Sequence, residues 1–346
     1  MEKITLELET ITPLFIAGAD QRNIQNEGLR PSSLRGLMRW WFRSVVGGMV
    51  SSPSILREKE DGIFGNTNSK SKVIVISIPH ERPENIPPVQ KEKTHPWFSE
   101  PNKTYMWFSI KMQRSKNDRL QYYKEGTKFT VILQSEDTQV LKVAAVTLWL
   151  LIYFGGIGSR NRRGAGCLRI NKYESTIHLP FDFTHKCTDI NNAKKYLEDS
   201  LKAIFDLLRI YIGADYTPHE KKSNFCILSQ STAKIALVRP SRANATPLSI
   251  LEDMGKKYSQ YRKKVPREER GTRAVLGLPL QGVSMKDRFS SPLIFGVMAL
   301  QNGYVGRVLK FYSSVKNDFQ KDILKKHLDT IDKDFTEVSV SIPEVK

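Results

Sequence analysis

The chain has 346 residues, with 54 Lys and Arg against 36 Asp and Glu, a formal charge of +18. A 40% hydrophobic content excludes wholesale disorder, and at about 150 residues per domain the length suggests two domains. The charge favours an anionic partner, nucleic acid first, with a membrane surface or plain solubility as blander readings.

The N-terminal MEKITLELETITPLF alternates polar and apolar residues. It lacks the profile of a signal peptide and predicts a first strand, Ile4–Thr10. A Gly- and Asn-bearing loop follows to about Pro31. Ser32 or Ser33 then caps a helix to about Val46, ended by Gly47–Gly48. Leu34, Leu37, Met38, Trp41 and Val45 share its apolar face; Arg35, Arg39 and Arg43 recur at every fourth position on another. Residues 49–72 read as polar and turn-rich, with Gly62 and Gly65 as turn points. Strands are predicted at Val73–Ile78, Tyr105–Met112 and Lys128–Gln134, with an irregular, Pro-rich excursion over Pro79–Lys103.

Val140–Phe154 reads as a buried helix, too short to span a bilayer. The loop GGIGSRNRRGAG follows at Gly155–Gly166, and a short strand at Gly166–Ile170 closes the first unit. The order strand, helix, strand pair, helix, strand is that of a βαββαβ, ferredoxin-like unit, placing a boundary near residue 175. The second half offers a helix at Ile190–Tyr211 and another at Ser249–Lys264. It offers strands at Asn224–Ser229, Ala233–Arg239, Ala274–Pro279, Leu293–Leu300 and Tyr304–Val308. A helix at Asn317–His327 and a strand at Phe335–Ile342 end it. This is compatible with a second, decorated copy, although no fixed-period repeat is visible.

Three basic elements are candidate sites. The glycine loop lacks the GxxxxGK[ST] pattern of a phosphate loop, and it leaves a helix for a strand, the reverse of a dinucleotide fingerprint. What remains is a backbone cradle with Arg160, Arg162 and Arg163 for nucleic-acid phosphates; the plainer reading is a helix terminator with a solvent-facing basic turn. On the first helix, Arg35, Arg39 and Arg43 form a stripe in a stretch, 28–57, without Asp or Glu. Beside it Trp40 suits a stacked base or, more plainly, a core or interface role. Asp20, Arg22, Asn23 and Gln25 in the preceding loop suit phosphate or a neighbouring subunit; for Asp20 an ion pair is the plainer role. Lys256–Arg273, including Lys263 and Lys264, interleaves cations with Tyr258 and Tyr261, which suits single-stranded nucleic acid or an exposed arm. Arg288 in RFSSP suits a pair with Asp287 or with phosphate, and the plainer role of its serines is to satisfy backbone groups in a turn.

Catalysis is the minority reading. Metal-free RNA cleavage needs a general acid and base, usually histidine. His80, His95, His178, His185, His219 and His327 form no tight set, and His185 with Cys187 is a weak metal pair without a second. Cys167, Cys187 and Cys226 have no paired spacing, which fits a reducing cytoplasm. No cofactor is expected.

The stretches ITPLFIAGADQRN, LRPSSLRGLMRWWFRSVVGG, GGIGSRNRRGAG and RFSSP resemble the first RAMP subunit of the Cmr complex, the type III-B CRISPR RNA-guided effector of antiviral defence. The resemblance implies an α+β protein of two ferredoxin-like (RRM-like) domains with inserted loops, at 1–175 and 176–346. It implies a non-catalytic subunit that binds crRNA near its 3′ end or the crRNA–target duplex, beside another RAMP subunit at the head of the complex, with no membrane partner. The family's basic and glycine positions fall on Arg35, Arg39, Arg43, Gly158, Arg160, Arg162, Arg163, Gly164 and Gly166, with Arg288 a weaker match. The histidine of the related crRNA-processing endoribonucleases has no clear match. Such an enzyme and a purely architectural subunit are the alternatives.

Overall fold

A computed structural model describes residues 1–16, 28–85, 105–107, 121–218, 225–266, 269–277, 290–313, 318–335 and 337–344. The first sheet is built from β1 (Glu2–Thr10), β2 (Ile74–Pro79), β5 (Lys128–Ser135) and β6 (Leu168–Ser175), in the order β2-β5-β1-β6. All its pairings are antiparallel, with Leu6 opposite Val131 on one side and Tyr173 on the other. The strict alternation of β1 sends Ile4, Leu6 and Leu8 under two helices, α1 (Pro31–Val46) and α3 (Thr138–Phe154). On the other face of this sheet, among the described residues, Ile74 and Ile78 are exposed. A two-residue ladder of β3 (Glu84–Asn85) with β4 (Gln121–Tyr122) is inserted between β2 and β5.

The second sheet contains β7 (Ala233–Val238), β8 (Leu293–Leu300), β9 (Gly303–Phe311) and β10 (Val338–Val340), in the order β10-β7-β9-β8. Two helices, α5 (Pro247–Lys264) and α6 (Asp318–Phe335), connect its strands. In both sheets the strand order is fourth, first, third, second, and the chain order is βαββαβ. The chain therefore carries two ferredoxin-like units joined through α4 (Ile190–Ile212). Asp189 caps α4 by accepting from the amides of Asn191 (2.7 Å) and Asn192 (2.9 Å).

The second sheet is covered on both faces. In β9 seven consecutive residues, Val305–Phe311, are buried, the continuous pattern of a doubly covered strand. Phe295, Val297 and Val308 pack with α5 and α6, while Ile294, Met298, Leu309 and Phe311 join the core of the first unit. Trp40 of α1 meets Phe311 edge-on at 6.0 Å, which gives it the interface role.

Several sequence expectations are corrected. The first residue of α1 is Pro31, preformed for a helix start; its cap is Arg30 and no side chain caps it, so neither Ser32 nor Ser33 does. Within the stretch read as turns lies α2 (Pro53–Phe64), capped by Ser52, with Gly62 inside it. Residues 225–229 form no strand: there the amide of Ile227 donates to Ser313 Oγ and that of Leu228 to the Ser44 carbonyl. Arg270–Leu276 is a 3-10 segment, which replaces the strand expected from Ala274. Tyr105–Trp107 is a turn, and the rest of the strand expected there lies outside the described residues.

Buried His327 of α6 is engaged at both ring nitrogens, Nδ1 by the Tyr261 hydroxyl and Nε2 by Thr272 Oγ1 (2.9 Å). Burial holds its pKa below the ordinary value; Glu269 opposes that shift, and Lys326 and Arg273 add to it. The unfolded chain therefore binds this proton at a higher pH than the folded one. Stability should fall as pH drops below about 6.5, and His327→Gln should flatten that fall. Urea titrations at stepped pH check the slope; an unchanged slope in the variant refutes the assignment.

Candidate nucleic-acid interface

The glycine loop begins where α3 runs out. Gly155 ends the helix, its amide donating to the Leu151 carbonyl at 3.0 Å. The chain then doubles back between the two sheets. Ile157 donates to Gly166 (3.0 Å), Ser159 to Phe15 (2.6 Å) and Gly166 to Pro13 (2.8 Å). Gly158, Gly164 and Gly166 all have positive φ. A Cβ on any of them would overlap a neighbour, the Leu251 side chain at Gly164 and backbone carbonyls at the other two. These glycines thus serve close packing, and most loop amides are spent inside the protein. The amides of Gly156, Gly158, Arg160, Asn161 and Arg162 have no backbone partner among the described residues. The expected backbone cradle is reduced to those five.

The three loop arginines diverge. Arg163 points inward, its guanidinium 5.0 Å from the Tyr258 ring and 5.5 Å from Phe295. Its carbonyl accepts from Trp107 Nε1 at 3.0 Å. It clips the loop to the second unit by cation–π contacts. Arg162 lies 5.0 Å from the Trp40 ring, and its Nη1 donates to the Ser291 carbonyl. Its own carbonyl accepts from the Phe295 amide at 3.1 Å. Arg160 is exposed, with φ at +62°, a left-handed conformation that a non-glycine residue rarely holds. Partial burial of its guanidinium, and then the charge of Arg163 nearby, lower its pKa from the ordinary value. Among the described residues no carboxylate pairs with any of the three.

The α1 stripe is only partly available. Arg43 holds Glu60 of α2 in a two-pronged pair, at 2.5 and 2.7 Å. Arg39 also contacts Glu60, pairs with Asp61 at 3.3 Å, and donates to the Gly65 carbonyl at 2.7 Å. The hydrogen bonds that Arg43 donates to the Glu60 carboxylate raise its pKa from the ordinary value. The acids missing from 28–57 therefore come from α2, the helix that the sequence reading passed over. Arg35 has no carboxylate partner among the described residues, and its Nε is buried without a hydrogen bond.

In α5 the expectation splits. Tyr258 and Tyr261 are buried, at 1% and 8% exposure, so neither ring is open to a base. Lys263 and Lys264 are exposed in the last helical turn, where they also favour the negative end of the helix. Arg288, Asp20, Arg22, Asn23 and Gln25 lie outside the described residues, as do His95 and His219. His185 packs between Tyr153 and Tyr196 and accepts from the Cys187 amide at 3.3 Å, a local bond in place of the weak metal pair. Burial lowers its pKa. Among the described residues no group of three or more His, Cys, Asp or Glu could hold a metal ion, and no helix is long and apolar enough to cross a membrane.

The sequence reading missed Arg307. It lies fully buried on β9, and its Nη2 donates to the Gly155 carbonyl at 2.5 Å, while Nε and Nη1 have no hydrogen-bond partner. It caps the end of α3 from the other unit. Nothing in its neighbourhood, GYVGRVLKF, marks it except a cation within an apolar strand.

The model of the RAMP superfamily matches residues 7–169. CRISPR system Cmr subunit Cmr1-2 of Pyrococcus furiosus is 36% identical over 183 residues, 49% of this chain and 96% of that protein. The chain belongs to the Cmr1 family of RAMP proteins. Subunit Cmr1-1 of the same organism is 29% identical over 326 residues, 93% of this chain and 90% of that one. The crystal structure of apo Cmr1 from Pyrococcus furiosus superposes with a TM-score of 0.73 at 25% identity, covering all of both chains. A chain of the type III-B Cmr-β complex bound to cognate target RNA shares the fold, with a TM-score of 0.58 at 13% identity over 95% of this chain and 99% of that one.

Proposed function

We propose that this chain holds crRNA near its 3′ end, or the crRNA–target duplex, within a cytoplasmic type III-B Cmr effector, beside another RAMP subunit, and that it does not cut the RNA. The observation that carries this reading is Arg160. It is a strained, exposed cation beside a second cation, with no acid paired to it among the described residues. A bound phosphate relieves that repulsion. The family, the +18 charge and the occurrence of this fold in an RNA-bound Cmr-β assembly support it. Arg35, Lys263 and Lys264 extend the positive surface. Phosphate contacts of this kind position RNA with little base preference and strong salt dependence.

Positioning without cleavage agrees with the histidines. His80 contacts Thr130, while His185 and His327 are held in aromatic and hydroxyl contacts. Arg160→Ala should weaken RNA binding about tenfold. It should also reduce the log–log salt slope by about 0.7, the share of one phosphate on a single strand. Unchanged affinity and slope would assign the loop to architecture alone. Metal-free cleavage of repeat RNA that disappears in His178→Ala would overturn the non-catalytic reading.

A further inference from the structure

A cleft of about 190 Å³ opens beside the glycine loop, between α1, the end of α3 and β8. Leu37, Trp40 and Trp41 form one wall and Ile294 the other, with Gly156 between and Asn161 and Arg162 at the polar side. We propose that this cleft takes one unstacked base of the bound RNA. The inference rests on the RNA-binding reading above and adds a place for a base to what was backbone contact alone.

A base pocket needs a flat partner and a few donors and acceptors for the ring edge. Arg162 supplies the flat partner. Its guanidinium is set against the Trp40 ring at 5.0 Å and fixed by the Ser291 carbonyl, so the plane is held before any ligand arrives. A base stacks on such a plane as it does on an aromatic ring. Asn161 supplies the edge contacts. Its Nδ2 donates to the Gly156 carbonyl at 3.2 Å, which orients the carboxamide, and among the described residues no hydrogen bond engages Oδ1. The Gly156 amide has no backbone partner among the described residues, and Gly156 lines the same cleft. Among the described residues no carboxylate lines the cleft, which disfavours a cationic ligand. Arg160, four residues beyond Gly156, offers a phosphate site on the same loop. Apolar walls, one stacking plane, one carboxamide and one amide suit a heterocycle better than a phosphate or a peptide side chain.

The test uses the assembled effector on guide and target RNA carrying a single 4-thiouridine, moved one position at a time. Ultraviolet crosslinks are mapped to residues. The expected result is one position that crosslinks to Leu37, Trp40 or Ile294 at least about fivefold above its neighbours, in line with one stacked base. Leu37→Trp fills the cleft and should bring that position down to its neighbours while crosslinks at Arg160 persist. Arg162→Lys keeps the charge but removes the plane, and should do the same should Leu37→Trp fail to fold. Crosslinks at Arg160 with none in the cleft overturn the pocket and leave the RNA-binding reading standing. Crosslinks at neither overturn both.

Discussion

Gly166→Ala is expected to cost roughly 2–5 kcal/mol of stability. Gly166 has φ at +65°, and a Cβ there would overlap the carbonyl oxygen of Ile157. The left-handed backbone alone accounts for about 1–2 kcal/mol. The collision adds the larger share, because a backbone carbonyl cannot swing aside as a side chain can. Relief requires the loop to open, which strains the bonds from Ile157 to Gly166 and from Gly166 to Pro13. Gly126 is the matched control. Its φ is +86°, but nothing lies within 4 Å of an added Cβ. Gly126→Ala should show the conformational cost alone, about 1–2 kcal/mol. Urea unfolding of the two variants separates strain from collision; equal losses would show that the loop accommodates the methyl group.

Glu60→Ala should be nearly as damaging, at about 3 kcal/mol. Glu60 is 2% exposed, and its two oxygens face Arg39 and Arg43. Its removal leaves two guanidiniums side by side with, among the described residues, only Asp61 as a nearby acid. Arg43 is 44% exposed, so Arg43→Ala should cost much less. A milder change at the same position probes the proposed RNA surface. If Arg39 and Arg43 are withheld from RNA by Glu60, Glu60→Gln should raise RNA affinity and steepen the salt slope. An unchanged slope in a folded Glu60→Gln protein would show that this face never meets RNA.

Much of the fold was legible because period and burial agree. The alternation of β1, the apolar run of α3 and the helical spacing in α4 each have one satisfactory solution. The missed helix α2 has a weak apolar face, with only Ile63 and Phe64 as buried hydrophobic residues, and Glu60 is buried beside them. Ser52 followed by Pro53 was its start signal. The strands read at Asn224–Ser229 and Ala274–Pro279 were short apolar runs, which pairing alone could decide. The arginines show the larger limit. Charge spacing locates cations but says nothing of their counter-ions, and Glu60 lies 17 residues beyond Arg43. The tyrosines were more legible than they were read. Leu251, Met254, Tyr258 and Tyr261 fall on one helical face, and that face is buried.

Arg307 has a consequence for synthesis. The first sheet and its loop leave the ribosome well before β9 does, and chains grow at about 5–20 residues per second. Until then the Gly155 carbonyl lacks its donor, Arg163 lacks Phe295 and Arg162 lacks Ser291. The loop proposed to hold RNA is therefore finished by the last quarter of the polypeptide. A nascent or prematurely terminated chain would present an unformed loop, so on the RNA-binding reading proposed above, competence to hold RNA is tied to completion of translation.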